Sequence, residues 1–191
     1  VVARRGELME AAVPAGVGAM AAVLGAEASL IEETLSEIPE VWIANYNCPG
    51  QIVISGKKEA VEAAAEALKA RGIKRVLMLN VSGPFHSGLL REAGEELGKV
   101  LAETEIHPLR IPYYANVTGG IVEDAAKVRA LLTEQVYSSV RFEQSIRNML
   151  SAGVDTFYEL GPGKTLAGFV KKIDREATVV NIETMEDLAK I

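Results

Sequence analysis

The sequence contains 191 residues, 49% of them hydrophobic, and carries a formal net charge of −6. A chain of this size can bury one substantial core, or one core with a small lobe attached. An acidic chain without a run of basic residues is a poor candidate for binding nucleic acid or an anionic membrane, so we expect neither partner.

The first predicted element is a helix over residues 1–13, where apolar side chains recur at roughly helical spacing. This helix is expected to end at the turn Pro14-Ala15-Gly16. The chain starts inside the helix, at a valine and without a capping residue, which natural chains seldom do. We therefore expect an N-terminal segment that precedes Val1.

Residues 16–81 are predicted to form a small domain. The pattern predicts strands at 18–24, 41–47, 51–55 and 75–81, and helices at 26–37 and 57–71. The segment Cys48-Pro49-Gly50, between the second and third strands, is typical of a hairpin connection. The resulting β-α-β-β-α-β order predicts a ferredoxin-like fold.

Residues 1–15 and 82–191 are predicted to form a larger α/β domain into which the small domain is inserted. The pattern predicts helices at 88–104, 122–137, 142–151 and 163–173, and strands at 112–117, 154–161 and 177–182. Strands that alternate with helices favour a mostly parallel sheet. Clefts between two lobes are favoured ligand sites, so we expect the functional site there.

The single cysteine, Cys48, excludes an internal disulfide and fits a reducing compartment better than a secreted scaffold. No apolar run reaches the roughly 18–20 residues that are needed to span a bilayer. These two observations favour a cytoplasmic protein.

His86 is the candidate general base of the sequence. It follows a predicted strand in a loop whose Gly83 and Pro84 restrict its shape. An imidazole has an ordinary pKa of about 6.5, so it can accept and return a proton near neutrality. From the residues alone, a histidine that caps the next helix remains an open alternative. The other histidine, His107, precedes a proline in a polar turn and is interpreted as structural.

Other familiar motifs fail on spacing. The segment Gly161-Pro162-Gly163-Lys164-Thr165 suggests a phosphate-binding loop, but the position that needs the first glycine is Tyr158. Two distant histidines and one cysteine do not form a recognisable zinc site, so no metal is expected. No serine lies in a Gly-x-Ser-x-Gly elbow.

Four sequence blocks together resemble the malonyl-CoA:acyl carrier protein transacylase family, which includes the acyltransferase domains of fatty-acid and polyketide synthases. They lie at 5–25, 45–56 (NYNCPGQIVISG), 81–87 (VSGPFHS) and 158–173 (YELGPGKTLAGFVKKI). The blocks occur in family order and at family-like spacing over nearly the whole chain. The resemblance implies an α/β-hydrolase-like large domain with an inserted ferredoxin-like βαββαβ domain, in agreement with the element order.

The resemblance also implies a reaction. A serine in a Gly-His-Ser-Leu-Gly elbow takes the malonyl group from malonyl-CoA, and the phosphopantetheine thiol of acyl carrier protein then takes it from the serine. His86 matches the base that activates this serine. The family orients its histidine with a backbone carbonyl, and the matching position is interpreted as Arg141. No cofactor is implied beyond the coenzyme A thioester that is the substrate.

Two further residues match family positions that contact the acyl group. Arg5 matches the arginine that binds the free carboxylate of malonate, for which the planar fork of a guanidinium is well suited. Phe85 resembles the residue found beside the histidine in malonyl-selective members and is expected to line the acyl pocket.

The sequence departs from the family in one respect. In the family, the serine elbow and an oxyanion-hole loop precede the helix that carries the arginine, and the 191 residues begin at that helix. The chain therefore matches the base and the carboxylate-binding residue without the nucleophile, and we predict that it is inactive alone. Three alternatives stay open: a non-catalytic module that binds a carrier protein or ligand, a truncated structural partner, and a fragment of a polyketide synthase acyltransferase domain.

Overall fold

The computed structural model describes residues 1–81 and 83–189. The predicted domain boundary at residue 82 and the last two residues of the predicted large domain lie outside this described part. The described helices are α1 Val2–Ala11, α2 Ala28–Ser36, α3 Lys58–Ala70, α4 Arg91–Ala102, α5 Val128–Glu134, α6 Phe142–Ser151, α7 Thr165–Ile173 and α8 Met185–Leu188. The strands are β1 Gly18–Leu24, β2 Val41–Cys48, β3 Gln51–Lys57, β4 Arg75–Met78, β5 Tyr113–Tyr114, β6 Ile121–Val122, β7 Thr156–Leu160 and β8 Thr178–Ile182. The structure therefore has a mixed α/β fold.

The first four strands form one antiparallel sheet in the order β2-β3-β1-β4. Helices α2 and α3 cover one of its faces, where the largest buried cluster includes Val23, Ile31, Ile54, Val61 and Leu68. Strand β3 is buried on both faces: Ile52 and Ile54 join that cluster, while Val53 packs with Met20 and Ala44 on the opposite face. The predicted order of strands and helices over residues 18–78 is confirmed.

Helix α3 shows how the sequence specifies this unit. Its buried residues, Val61, Ala64, Ala65 and Leu68, recur at the spacing of one helical face. Burying a side chain such as Leu68 contributes about 1.5–3 kcal/mol. The helix ends at Ala70, and Gly72, two residues further on, has a φ of +93° that suits glycine. The N–H groups of Gly72 and Ile73 donate to the carbonyls of Lys69 and Leu68, which is a Schellman cap.

The predicted mostly parallel sheet of the larger domain is wrong for the described residues. They form two separate two-stranded sheets, with β5 and β6 antiparallel and β7 and β8 parallel. Gly119, with a φ of +65°, lets the chain reverse between β5 and β6. The strand predicted at 112–117 is therefore only two residues long. In place of the helix predicted at 122–137, a 3-10 turn at Ala125–Lys127 leads into the shorter helix α5.

Two further apolar clusters hold this part together. Helix α4 packs against α1 and α5 through a cluster that contains Met9, Leu90, Leu97, Leu101 and Val136. A second cluster joins α6 and α7 to the β7–β8 sheet through Ile146, Val170 and Ala177. Within residues 1–81 and 83–189, the structure contains no helix with the length and apolar character needed to cross a membrane.

The segment before α6 is tied to strand β2. The N–H of Val140 donates to the carbonyl of Ala44 over 2.7 Å, and the N–H of Tyr46 donates to the carbonyl of Val140 over 2.9 Å. This short parallel bridge fixes the segment between α5 and α6 against the edge of the four-stranded sheet.

Candidate active site

The loop that carries His86 connects β4 to α4 and is held in a strained conformation. His86 has a φ of +58°, which is uncommon for a residue other than glycine and costs of order 1–3 kcal/mol. The Ser87 hydroxyl donates to the carbonyl of Pro84 over 2.6 Å. Pro84 packs so closely on Gly18 that the proline ring leaves no room for a Cβ at that position. Close packing on β1 therefore holds the loop in place.

A backbone carbonyl orients the imidazole of His86. Its Nδ1 lies 3.0 Å from the carbonyl oxygen of Gln135, the residue that ends α5. A carbonyl only accepts hydrogen bonds, so Nδ1 carries the proton in this contact. The other ring nitrogen, Nε2, is then left as a proton acceptor.

The assignment of this carbonyl to Arg141 is wrong. The Arg141 carbonyl accepts the N–H of Ser145 at 3.0 Å, because Arg141 is the residue at which α6 begins. Its guanidinium lies over the ring of Tyr46, 5.3 Å from the ring centroid. A hydrogen-bonding carbonyl leaves no mark on the side-chain sequence, which is why sequence reasoning missed Gln135.

The environment of His86 keeps the ring neutral. Burial lowers the pKa of His86 below its ordinary 6.5. The hydrogen bond that His86 donates to the Gln135 carbonyl raises this pKa, whereas the positive charge of Arg5 lowers it. The net effect is a lowered pKa, so the ring is an unprotonated base at neutral pH.

We expect the His86 ring to titrate with a midpoint below 6.5 in the folded protein. The folded-state pKa lies below the unfolded value, so His86 does not lower the free energy of unfolding above about pH 6.5. Below that pH the unfolded state binds the proton more readily, so the stability of the fold decreases. The ring proton shifts in NMR spectra recorded against pH measure the midpoint, and His86→Gln assigns the signals. A midpoint at or above 6.5 would contradict the burial argument.

Arg5 reaches toward the same region from α1. It is half-buried, and its Nη2 donates to the side-chain oxygen Oε1 of Gln135 over 2.8 Å. Burial lowers the pKa of Arg5, but a guanidinium stays charged in proteins. The neighbouring Arg4 instead forms a surface ion pair with Glu7 at 3.0 Å. The two adjacent arginines therefore differ in role, and only Arg5 faces the interior.

Three of the residues singled out in the sequence line one cavity. Its volume is about 620 Å³, and its lining includes Arg5, Glu10, Asn45, Phe85 and His86, together with Met9, Met20 and Val53. Helix α1, the four-stranded sheet and the His86 loop thus meet at this cavity. Arg141 lies outside it and lines a neighbouring cavity of about 340 Å³, which His86 also borders.

The cavity combines a cation that suits a small carboxylate with a neutral imidazole that can accept a proton. Phe85, Met9 and Met20 supply its apolar wall. Residues 1–81 and 83–189 contain no group of three or more side chains that could hold a metal ion.

Comparisons with known proteins point to one family. The acyl transferase domain family matches residues 1–187. The malonyl CoA-acyl carrier protein transacylase of Bacillus subtilis is 45% identical over 191 residues, covering 98% of this chain and 60% of that protein. A transacylase of the same name from Staphylococcus aureus is 39% identical and is covered over 62% of its length. The chain therefore spans about 60% of the length of these curated relatives.

Solved structures agree with this match. A malonyl-CoA:acyl carrier protein transacylase from Xanthomonas oryzae superposes with a TM-score of 0.94 at 40% identity, covering 98% of this chain and 60% of that one. A malonyl-transacylase in complex with a type II polyketide synthase acyl-carrier protein superposes with a TM-score of 0.93 at 36% identity, with 97% and 61% covered.

Proposed function

The chain belongs to the acyl transferase domain family, and from this premise we propose that it takes part in moving a malonyl group from coenzyme A to acyl carrier protein. The acceptor is the phosphopantetheine thiol of the carrier, and the group passes through a seryl acyl-enzyme. The setting that fits this reaction is cytoplasmic fatty-acid biosynthesis, and no cofactor is needed beyond the thioester itself.

One observation carries the proposal: Arg5 and His86 line the same cavity and are both hydrogen-bonded to Gln135. A malonyl thioester has a carboxylate at one end and the reacting carbonyl a short distance away. The Arg5 guanidinium binds the carboxylate, and the thioester carbonyl then lies on the side of the cavity that carries His86. Phe85 supplies part of the apolar wall beside the acyl chain.

In the first half-reaction, His86 Nε2 accepts the proton of the serine hydroxyl while the serine oxygen bonds to the thioester carbon. The carbon–sulfur bond then breaks, and the departing coenzyme A thiolate takes the proton from the imidazolium. In the second half-reaction, the carrier thiol gives its proton to His86 and its sulfur bonds to the acyl carbon. The serine oxygen leaves and recovers the proton.

We propose that the serine and the oxyanion-hole donors come from the part of the family fold outside these 191 residues. The chain has no serine in a nucleophile elbow, and it covers about 60% of its curated relatives. Strand β7 carries Tyr158 and Leu160 with 53% and 74% of their surface exposed. Exposed apolar groups on a two-stranded sheet are the surface that such a segment would cover.

We propose that the chain contributes to two domains, the larger of which the serine-bearing segment would complete. Residues 16–81 correspond to a ferredoxin-like domain, which the strand order β2-β3-β1-β4 with two covering helices supports. Residues 1–15 and 82–191 then belong to an α/β-hydrolase-like domain, to which the parallel β7–β8 pair would contribute.

The experiment that tests the function supplies the chain with the serine-bearing segment, either fused or as a separate polypeptide. Incubation with malonyl-CoA should add one malonyl group to the serine, and holo acyl carrier protein should then remove it, both visible by intact-protein mass spectrometry. The chain without that segment should stay unmodified. If carrier protein binds and no malonyl group is transferred, the chain is a binding module instead.

A further inference from the structure

Three polar groups of Gln135 each contact a different residue. Its backbone carbonyl contacts His86 Nδ1 at 3.0 Å, and its side-chain Oε1 accepts from Arg5 Nη2 at 2.8 Å. Its Nε2 points toward Oδ1 of Asn116, 3.4 Å away. Gln135 is partly buried between the proposed base and the proposed carboxylate-binding residue. One residue therefore contacts both functional side chains.

The contact with Asn116 defines which way the amide of Gln135 faces. The carbonyl of Asn116 accepts the N–H of Arg141 over 2.8 Å, so Asn116 is anchored to the beginning of α6. With the NH₂ group of Gln135 turned toward Asn116, its Oε1 is turned toward Arg5. An amide oxygen can only accept, and the guanidinium can only donate, so the two ends match.

This arrangement matters for Arg5 because the arginine side chain is long and flexible. An oxygen that accepts from one terminal nitrogen restrains the guanidinium and leaves its other N–H groups for a carboxylate. The restraint is neutral, so it does not compete for the charge of Arg5.

On the basis of the proposed function, we propose that Gln135 is a positioning residue for acyl-group selection. Its side-chain amide holds the Arg5 guanidinium at a defined distance from His86, which its own carbonyl holds. The separation between the carboxylate-binding group and the base is thereby determined by one residue at the end of α5.

The test compares two substitutions that keep the backbone carbonyl and differ in the side chain. Gln135→Met has a similar length but no amide, so the restraint on Arg5 is lost. We expect KM for malonyl-CoA to rise about 10-fold or more, as for loss of a hydrogen bond to a charged group. The kcat value and its pH profile should change little, because His86 keeps its carbonyl partner. Transfer from an acetyl donor, which has no carboxylate, should be unaffected.

Gln135→Glu replaces the neutral acceptor with a carboxylate that pairs with Arg5 and competes with the substrate. The preference for malonyl over acetyl donors should therefore fall further than in Gln135→Met. If Gln135 only stabilised the fold, both donors would lose rate together and the melting temperature would fall. Gln144→Ala is the matched control, because that amide is exposed on α6 and donates to Asn148. It should keep the malonyl preference.

All variants are measured on the chain together with its serine-bearing segment. If the unsubstituted protein transfers no malonyl group, the proposed function fails. If it transfers malonyl and Gln135→Met keeps both the malonyl KM and the malonyl-to-acetyl preference, the function stands and the role of Gln135 is wrong.

Discussion

Under the proposed function, replacing His86 with alanine should lower the rate of malonyl transfer by about 10³-fold when the serine-bearing segment is supplied, as expected for loss of a general base. The serine is a weak nucleophile without a base to accept its proton. KM for malonyl-CoA should change little, because Arg5 and the apolar wall remain. Rapid-mixing measurement of acyl-enzyme formation separates the slowed chemical step from substrate binding.

The left-handed backbone at position 86 needs its own control, since alanine is strained at a φ of +58°. His86→Asn accepts that conformation more readily and should be equally slow, which separates loss of the imidazole from distortion of the loop. His107→Ala is the matched histidine control, because His107 is exposed beside Glu105. Turnover by His86→Asn within a few-fold of the unsubstituted enzyme would reject the role of the base.

Replacing Arg5 with alanine should lower the malonyl-to-acetyl preference by about 10–100-fold, because a hydrogen bond to a charged group contributes about 1.5–3 kcal/mol. The loss should fall on malonyl-CoA alone, since an acetyl group offers no carboxylate. Steady-state kcat/KM for the two donors measures the ratio directly. Arg5→Lys keeps the charge without the planar fork and should give an intermediate preference.

Arg4→Ala is the control for Arg5, because it is the adjacent arginine on the same helix and pairs with Glu7 at the surface. It should leave the preference within about 2-fold, as for a surface ion pair. An unchanged preference in Arg5→Ala would show that another group binds the carboxylate, and the assignment of the cavity would be wrong.

The strands and helices of residues 18–78 could be predicted from local pattern because they are long and bounded by turns. Strand β1 at Gly18–Leu24 and the hairpin of β2 and β3 lie where the sequence places them. Helix α6 at Phe142–Ser151 also matches its predicted range. In each case the apolar period and the flanking glycine or proline indicate the same element.

The sheets of the larger part could not be predicted in the same way. Alternating strands and helices describe the order along the chain, whereas pairing depends on residues far apart in sequence. Strands β5 and β6 are two residues long, too short to carry a period, and they pair only because the chain reverses at Gly119. Helix α8 was missed because it is a single turn held by Thr184 and Asp187.

The residues of the site also fall into two groups, those that the sequence could identify and one that it could not. Arg5, Phe85 and His86 could be chosen because their side chains match a family pattern, and the structure brings them to one cavity. Gln135 lies 49 residues from His86 and 130 from Arg5, and it acts on His86 through its backbone. Nothing in a glutamine on a predicted helix indicates such a contact, so only the fold could reveal it.

Under the proposed function, the neutral partner of the imidazole would limit the range of acyl compounds that can be cleaved at His86. A carbonyl opposite Nδ1 aligns the ring but supplies no negative charge to stabilise the imidazolium, as a buried aspartate would. The resulting base is mild, and it is adequate where a sulfur leaving group departs easily. Amides, whose nitrogen leaving groups need stronger assistance than a thiol or the serine oxygen of the acyl-enzyme, should survive in this cavity uncut.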